Sequence, residues 1–206
     1  MKDYPSIPAS IGTMFREIPG ASVFDKADGS SCRSGWSRKQ GWYKHGRRHG
    51  LLDDSNPHLA VVPALFDAVL AGPLEKIARD RRWQHLIVFY EFLGAKSLGG
   101  YHEPDDPKFL TLFDVDADKR GILGPAEFRR VFEGQVPTTA FLGMFNWTRG
   151  FVERVYQGDV PGVTFEGVVG KAGEGHHLVR AKAKTRAWLD AIRARHGDRA
   201  EAIINS

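Results

Sequence analysis

A lysine carries the first candidate chemistry in this sequence. Lys26 stands in Lys26-Ala27-Asp28-Gly29, after the short apolar run Val23-Phe24 and before a Gly/Ser-rich turn, which places it at the end of a predicted strand. An amine acts as a nucleophile only when unprotonated, and free lysine has a pKa of about 10.4. Cationic neighbours would disfavour a second ammonium and so favour the neutral amine. The sequence offers them at the end of Glu166-Gly167-Val168-Val169-Gly170-Lys171 and in Lys182-Ala183-Lys184. The same charges would hold phosphates. Between the tetrad and these lysines lie Phe89-Tyr90-Glu91-Phe92-Leu93-Gly94 and Leu112-Phe113-Asp114-Val115. Taken singly, Glu91 reads as a strand-end carboxylate, Phe113 as a core aromatic, and the tetrad as a common coincidence. Their order and spacing give them weight.

The elements that must position these residues follow from periodicity. Cys32 to Lys44 carries Trp36, Trp42 and Tyr43 among basic residues and glycines, which predicts a hairpin with one wet, positive face. Behind the cap-like Asn56-Pro57, residues Leu59, Val62, Leu65, Phe66 and Val69 recur at helical spacing, and Gly72-Pro73 is expected to end that helix. A short helix over Leu74 to Arg82, strands over His85 to Phe92 and Phe109 to Val115, and a helix opening at Pro125 come next. Arg149 to Tyr156 predicts a helix, Val163 to Val169 and Leu178 to Lys184 predict strands, and a basic helix begins at about Thr185. Strands and helices are interspersed without a βαβ rhythm, which argues for an α+β fold.

The 206 residues suit one catalytic domain, residues 1–206. Hydrophobic residues at 42% and charged residues at 26% exclude a disordered chain. The net charge of +4 favours acidic partners. The single Cys32 excludes an internal disulfide and a thiolate metal cluster. The sequence reads as having no signal peptide, and no stretch approaching the roughly 20 apolar residues of a bilayer span. A cytoplasmic protein without a membrane partner is expected.

In order and spacing, the quoted segments resemble nucleotidyltransferase motifs I, III, IIIa, IV and V of the ATP-dependent DNA and RNA ligases and the related capping enzymes, over about Val23 to Trp188. The resemblance implies a ligase-type nucleotidyltransferase (adenylation) domain with mainly antiparallel sheets flanked by helices. It implies ATP, with magnesium or manganese. Lys26 would take the adenylate covalently, in a site shared with Asp28 and Gly29. Glu91 would bind the ribose, Phe113 would stack on adenine, and Glu166 would be associated with the metal. Lys171 ends motif IV, and Lys182 and Lys184 would contact the phosphates. Lys44-His45-Gly46-Arg47-Arg48 is similar to a Gly-Thr-Arg element of some RNA ligases, which would place Arg48 near the ribose or phosphates. Arg33 is its rival, because many DNA ligases place an arginine soon after the tetrad. The adenylate would pass to a nucleic acid 5′-phosphate, and a 3′-hydroxyl would then attack that phosphate and release AMP.

The form of motif III and the arginine element resemble the RNA branch more than the DNA branch. RNA joining is therefore expected ahead of DNA nick sealing, and a non-catalytic nucleic-acid-binding module derived from a ligase is the alternative from another class. About twenty residues follow motif V, so no C-terminal oligonucleotide-binding (OB) barrel is expected. The positive face from Arg33 to Arg48 and the basic C-terminal helix, or else a partner protein, would clamp the substrate. Two further patterns are decoys. Asp116 to Glu127 imitates a calcium-binding loop, but Arg120 stands where an oxygen ligand belongs. His176-His177 beside Glu174 lacks a third ligand at metal spacing and reads as a solvated loop. Trp36, Trp42 and Tyr43 would either stack bases above a basic groove or pack into the core.

Overall fold

The turn Ala27-Asp28-Gly29 takes the chain out of one sheet and into another. The strands are β1 (Ile18–Lys26), β2 (Ser30–Ser37), β3 (Gly41–Arg47), β4 (His85–Leu93), β5 (Phe109–Ala117), β6 (Phe141–Trp147), β7 (Gly167–Ala172) and β8 (Val179–Lys184). They form two four-stranded antiparallel sheets, sheet A in the order β6-β1-β7-β8 and sheet B in the order β3-β2-β4-β5. The computed structural model describes residues 1–8, 15–53, 57–94, 99–103 and 105–204. Asn56, the expected cap, lies outside the described residues.

Each sheet buries its outer face under helices. Sheet B sends Cys32, Trp36, Val88, Tyr90 and Leu112 into the larger core, against Leu59, Val62, Phe66, Leu70 and Leu74 of a helical run and Phe128 and Phe132 of another helix. The run comprises a 3-10 turn (Pro57–Leu59), α1 (Val62–Phe66), a π turn (Asp67–Ala71) and α2 (Gly72–Asp80), and the other helix is α3 (Pro125–Phe132). Sheet A buries Val23, Val168, Ala181 and Ala183 with Trp147 and with Phe151 and Val155 of α4 (Arg149–Gln157). A third, smaller cluster joins Trp188, Leu189 and Ile192 of α5 (Arg186–His196) to Ala200 and Ile204 of α6 (Ala200–Ile204).

The helix expected to stop at Gly72-Pro73 instead continues. Proline lacks the N–H that would close the preceding turn, and the backbone accommodates it by widening to a π turn just before. The resulting run Pro57–Asp80 has 24 residues and contains an 18-residue window with a mean hydropathy of 1.4, so by length and composition alone it is long and apolar enough to cross a membrane. This differs from the sequence expectation that no such stretch exists. Here its inner side is part of the larger core. The strand expected over Val163 to Val169 starts later, at Gly167, and β6 was not anticipated. That edge strand carries Gly143 in a left-handed conformation and half-exposed apolar residues, which blur its alternation.

The calcium-like pattern folds into other contacts. Asp118 accepts backbone hydrogen bonds from Gln84 and His85, and Glu127 pairs with Arg81. His176 and His177 lie in an exposed turn. Trp36 is fully buried and Trp42 packs on the larger core, so the hairpin leaves only Tyr43 of these three aromatics exposed.

Phe66 is fully buried, with its ring 4.7 Å from that of Trp42 and 5.2 Å from that of Tyr90. Phe66→Ala is expected to destabilise the fold by about 3–5 kcal/mol in urea denaturation, the usual cost of deleting a core phenylalanine.

Candidate active site

Register places the site. Across sheet A, cross-strand partners form three rows: Ser22, Lys171 and Arg180; Phe24, Val169 and Lys182; and Lys26, Gly167 and Lys184. Partners in a row share a face, and alternate residues along each strand return to it. The lysines of three separated segments therefore meet on one face. The other face, including Gly170 beneath the ring of Trp147, belongs to the core. Glu166 lies at the head of the third row, buried to 5% exposure, and its carboxylate lies 2.7 Å from Lys26 Nζ and 3.4 Å from Lys184 Nζ. Gly167 has φ +145, and a Cβ there would run into the Ala183 carbonyl, so glycine alone permits this close approach.

Sheet B forms the opposite wall of a cavity of about 680 Å³ lined by Lys26, Gly29, Arg48, Glu91, Phe113 and Glu166, among others. Gly29 lets the tetrad lie against β4, because a Cβ would come within 2.8 Å of Glu91 Cγ. Phe113 is the extra residue of a β-bulge: Phe89 pairs with Asp114 and Tyr90 with Leu112, leaving Phe113 between them without a partner. A bulge turns a side chain away from its alternation, and here it aims the ring into the cavity. Lys171 reaches across from sheet A to donate to the Phe113 carbonyl and to Asp114, both at 2.8 Å.

The two arginines separate cleanly. Arg48 lines the cavity. Arg33, 3% exposed, lies beneath it and donates to the carbonyls of Arg47, Arg48 and Gly50, so it braces the turn that presents Arg48. Asp28 does not line the cavity either. It is buried and accepts hydrogen bonds from Gly99 N at 2.8 Å and Trp188 Nε1 at 2.9 Å, which fixes the loop behind Lys26. The same indole lies with its face 3.7 Å from Lys184 Nζ. Trp188 thus supports Lys184 in the site and Asp28 behind it, a role that an aromatic at helical spacing does not reveal in sequence.

No family model matches the sequence, and neither does any curated protein. Solved structures do match its fold. A variant of Naegleria gruberi RNA ligase with AMP and Mn superposes with a TM-score of 0.63 at 17% identity, covering 86% of this chain and 53% of that one. An archaeal ATP-dependent RNA ligase gives 0.64 at 15% identity, over 92% and 50%. An Aquifex aeolicus protein assigned as an ATP-dependent DNA ligase gives 0.62 at 20% identity, over 92% and 51%. This is the fold of the ligase nucleotidyltransferase domain. The chain spans about half the length of these structures.

Within this nucleotidyltransferase fold the electrostatics depart from the sequence expectation at Lys26. Burial disfavours its ammonium, but the carboxylates of Glu166 and Glu91 outweigh burial and hold its pKa above the ordinary value. The lowering falls instead on the neighbouring lysines. Burial, together with the cations of Lys26 and Arg48, brings Lys182 down to about 8. Burial, reinforced by Lys26 and Lys182 against the pull of Glu166, brings Lys184 down to about 8 as well. Burial, partly offset by Asp114, lowers Lys171. Glu91 is pushed up to about 8, first by burial and then by the negative charges of Glu166 and Asp28.

The Glu91 shift carries a sign that thermal melts can read. Between its ordinary value of 4.5 and about 8, the folded protein holds a proton on Glu91 that the unfolded chain has lost. Stability therefore falls as pH rises through that window. Glu91→Gln removes this loss, so its unfolding temperature relative to the wild type should climb from about pH 5 to about pH 8 and then level off.

Proposed function

We propose that this chain is the catalytic domain of an ATP-dependent polynucleotide ligase, and that Lys26 is the residue adenylated. The observation that carries the reading is the cross-strand arrangement of Lys26, Glu166, Lys182 and Lys184 at one wall of the cavity, opposite Phe113 and Glu91. A triphosphate lying along sheet A would meet Lys182 and Lys184, whose ammonium groups, destabilised by burial and by neighbouring cations, an anion would stabilise. Its base would lie toward Phe113 and its ribose toward Glu91. Lys26 Nζ, having lost a proton, would attack the α-phosphorus. The new N–P bond forms as the bond to the β-phosphate oxygen breaks, and pyrophosphate leaves with the electron pair. The stored adenylate then passes to a 5′-phosphate, and a 3′-hydroxyl displaces AMP.

The proton is the obstacle in the free protein, because the Glu166 carboxylate at 2.7 Å favours the ammonium. Among the described residues no cluster of three His, Cys, Asp or Glu side chains could hold a metal by itself. Glu166 fits the other common arrangement, in which magnesium or manganese is held by one or two carboxylates together with substrate phosphates. Such a cation would supply positive charge that offsets the hold of Glu166 on Lys26 and stabilises charge on the phosphates.

RNA is the proposed substrate ahead of DNA. The Naegleria and archaeal proteins are RNA ligases, and motif III resembles the RNA branch more than the DNA branch. The comparable match to the Aquifex protein keeps DNA nick sealing as the second reading. Gel assays on nicked RNA and nicked DNA duplexes separate the two.

Mass spectrometry after incubation with ATP and magnesium should show one AMP added to the wild type and none to Lys26→Ala; no adduct on the wild type would sink the catalytic reading. Arg48→Ala should cut adduct formation by about tenfold or more, as expected when a charged contact to a phosphate or ribose is lost. Arg33→Ala should chiefly lower the unfolding temperature, since it removes the brace of the 47–50 turn.

A further inference from the structure

The first eight residues of the chain cross the mouth of the cavity from sheet B to sheet A. On the sheet B side, Asp3 pairs with Arg33 at 2.5 Å and with His49 at 3.3 Å, and Lys2 lies 3.9 Å from Asp116. On the sheet A side, the Pro8 carbonyl accepts a hydrogen bond from the Lys182 backbone N–H at 3.2 Å, on the edge strand β8. Between these anchors, Tyr4, Pro5, Ser6 and Ile7 line the cavity. Lys2, Asp3, Pro5, Ser6 and Pro8 are exposed, so the segment is held by its anchors rather than by a core of its own.

Tyr4 is the residue that turns inward. Its hydroxyl donates to Asp114 Oδ2 at 2.5 Å, its ring meets Phe113 and Phe89 edge-on with centroids 5.1 and 5.0 Å apart, and the Arg180 guanidinium lies 4.9 Å from its face. Burial keeps the phenol protonated well beyond its ordinary range, so it remains a donor. The other oxygen of Asp114 takes Lys171 Nζ, which also donates to the Phe113 carbonyl. One buried carboxylate thus fastens the crossing segment, the cavity's aromatic ring and a lysine of sheet A.

We propose that residues 1–8 form a clasp across the nucleotide site, with Tyr4 as its pin. A nucleotide whose base lies on Phe113 is retained by Tyr4 at the edge of the base and leaves when the segment lifts away from Asp114. This rests on the ligase reading, which assigns Phe113 to the base. A plug that fills the place of the base would need to cover the Phe113 face. Tyr4 instead meets that ring at 85° and leaves a cavity of about 680 Å³ open beside it.

The test uses α,β-methylene ATP, whose bridging carbon prevents Lys26 from expelling the leaving group, so binding and release are read without adenylation. Calorimetric titration and stopped-flow displacement would compare the wild type with Tyr4→Ala, Tyr4→Phe and a double Lys2→Ala/Asp3→Ala variant. Tyr4→Ala should release the analogue about tenfold faster with affinity reduced to match, because losses of contact act mainly on dissociation. Tyr4→Phe, which loses only the bond to Asp114, should fall between. The double variant replaces exposed side chains and should also release faster, which keeps the test sound should Tyr4→Ala fail to fold. Because Asp3 also pairs with Arg33, which braces the turn carrying Arg48, adduct formation by the double variant at saturating ATP should stay at the wild-type rate. Slower adduct formation there would overturn the clasp in favour of a displaced Arg48. Release at the wild-type rate in the Tyr4 and double variants would overturn the clasp. Tighter binding by Tyr4→Ala would overturn it in favour of a plug. Failure of the wild type to bind the analogue would overturn the ligase reading, and the clasp with it.

Discussion

The carboxylate of Glu166, held between Lys26 and Lys184, is the interaction on which the site is built. A carboxylate at 5% exposure is costly to bury unless it is paired and hydrogen-bonded, and here two cations from flanking strands do the pairing. Its position requires the β1-β7-β8 register, the left-handed Gly167, and the Thr185 N–H that donates to the Glu166 backbone carbonyl as α5 begins. Shifting β7 by one residue would send Lys171 and Val169 into the core and bring Val168 and Gly170 to the cavity. Apolar packing beneath sheet A therefore fixes the charge pattern above it.

The pair also shapes the chemistry. A lysine beside a carboxylate is a stable ammonium, and that state suits a protein waiting for its substrate better than one in the act of attack. Burial and the crowding of cations act instead on Lys182 and Lys184, whose pKa values are brought down to about 8 in the free protein. Under the proposed function, phosphate and a cation would therefore arrive together before Lys26 gives up its proton.

Much of this was legible in the sequence. The α+β class, the place of Lys26 at a strand end, the hairpin, the helix at Pro125 and the lysines of β8 follow from periodicity and motif order. The structure brings Gly29, Arg48, Glu91, Phe113, Glu166, Lys171, Lys182 and Lys184 around one cavity with Lys26. What failed to show depends on contacts distant in sequence. Asp28 and Arg33 are the right residue types near the tetrad, yet hydrogen bonds to Trp188, Gly99 and the 47–50 backbone turn them away from the cavity. The raised pKa of Lys26 needs the distance to Glu166, which counting lysines cannot supply. The helix through Gly72-Pro73 survives because core packing on both sides outweighs one missing hydrogen bond. The inward aim of Phe113 comes from a bulge, and a bulge leaves no period in the sequence.

The crossing from β1 to β2 has a mechanical consequence. Only Ala27, Asp28 and Gly29 separate the two sheets at this point, and three residues reach about 10 Å at full stretch. With Asp28 also tethered to α5 through Trp188, the sheets are joined there as pages are joined at a spine. Further ties hold the same walls: the 137–140 segment bonds to Leu112 of β5 and to Asp25 of β1, and Lys171 of β7 reaches Asp114 of β5. Lys26 and Glu166 therefore face each other in a cleft whose width beside them is set by the chain's own crossings.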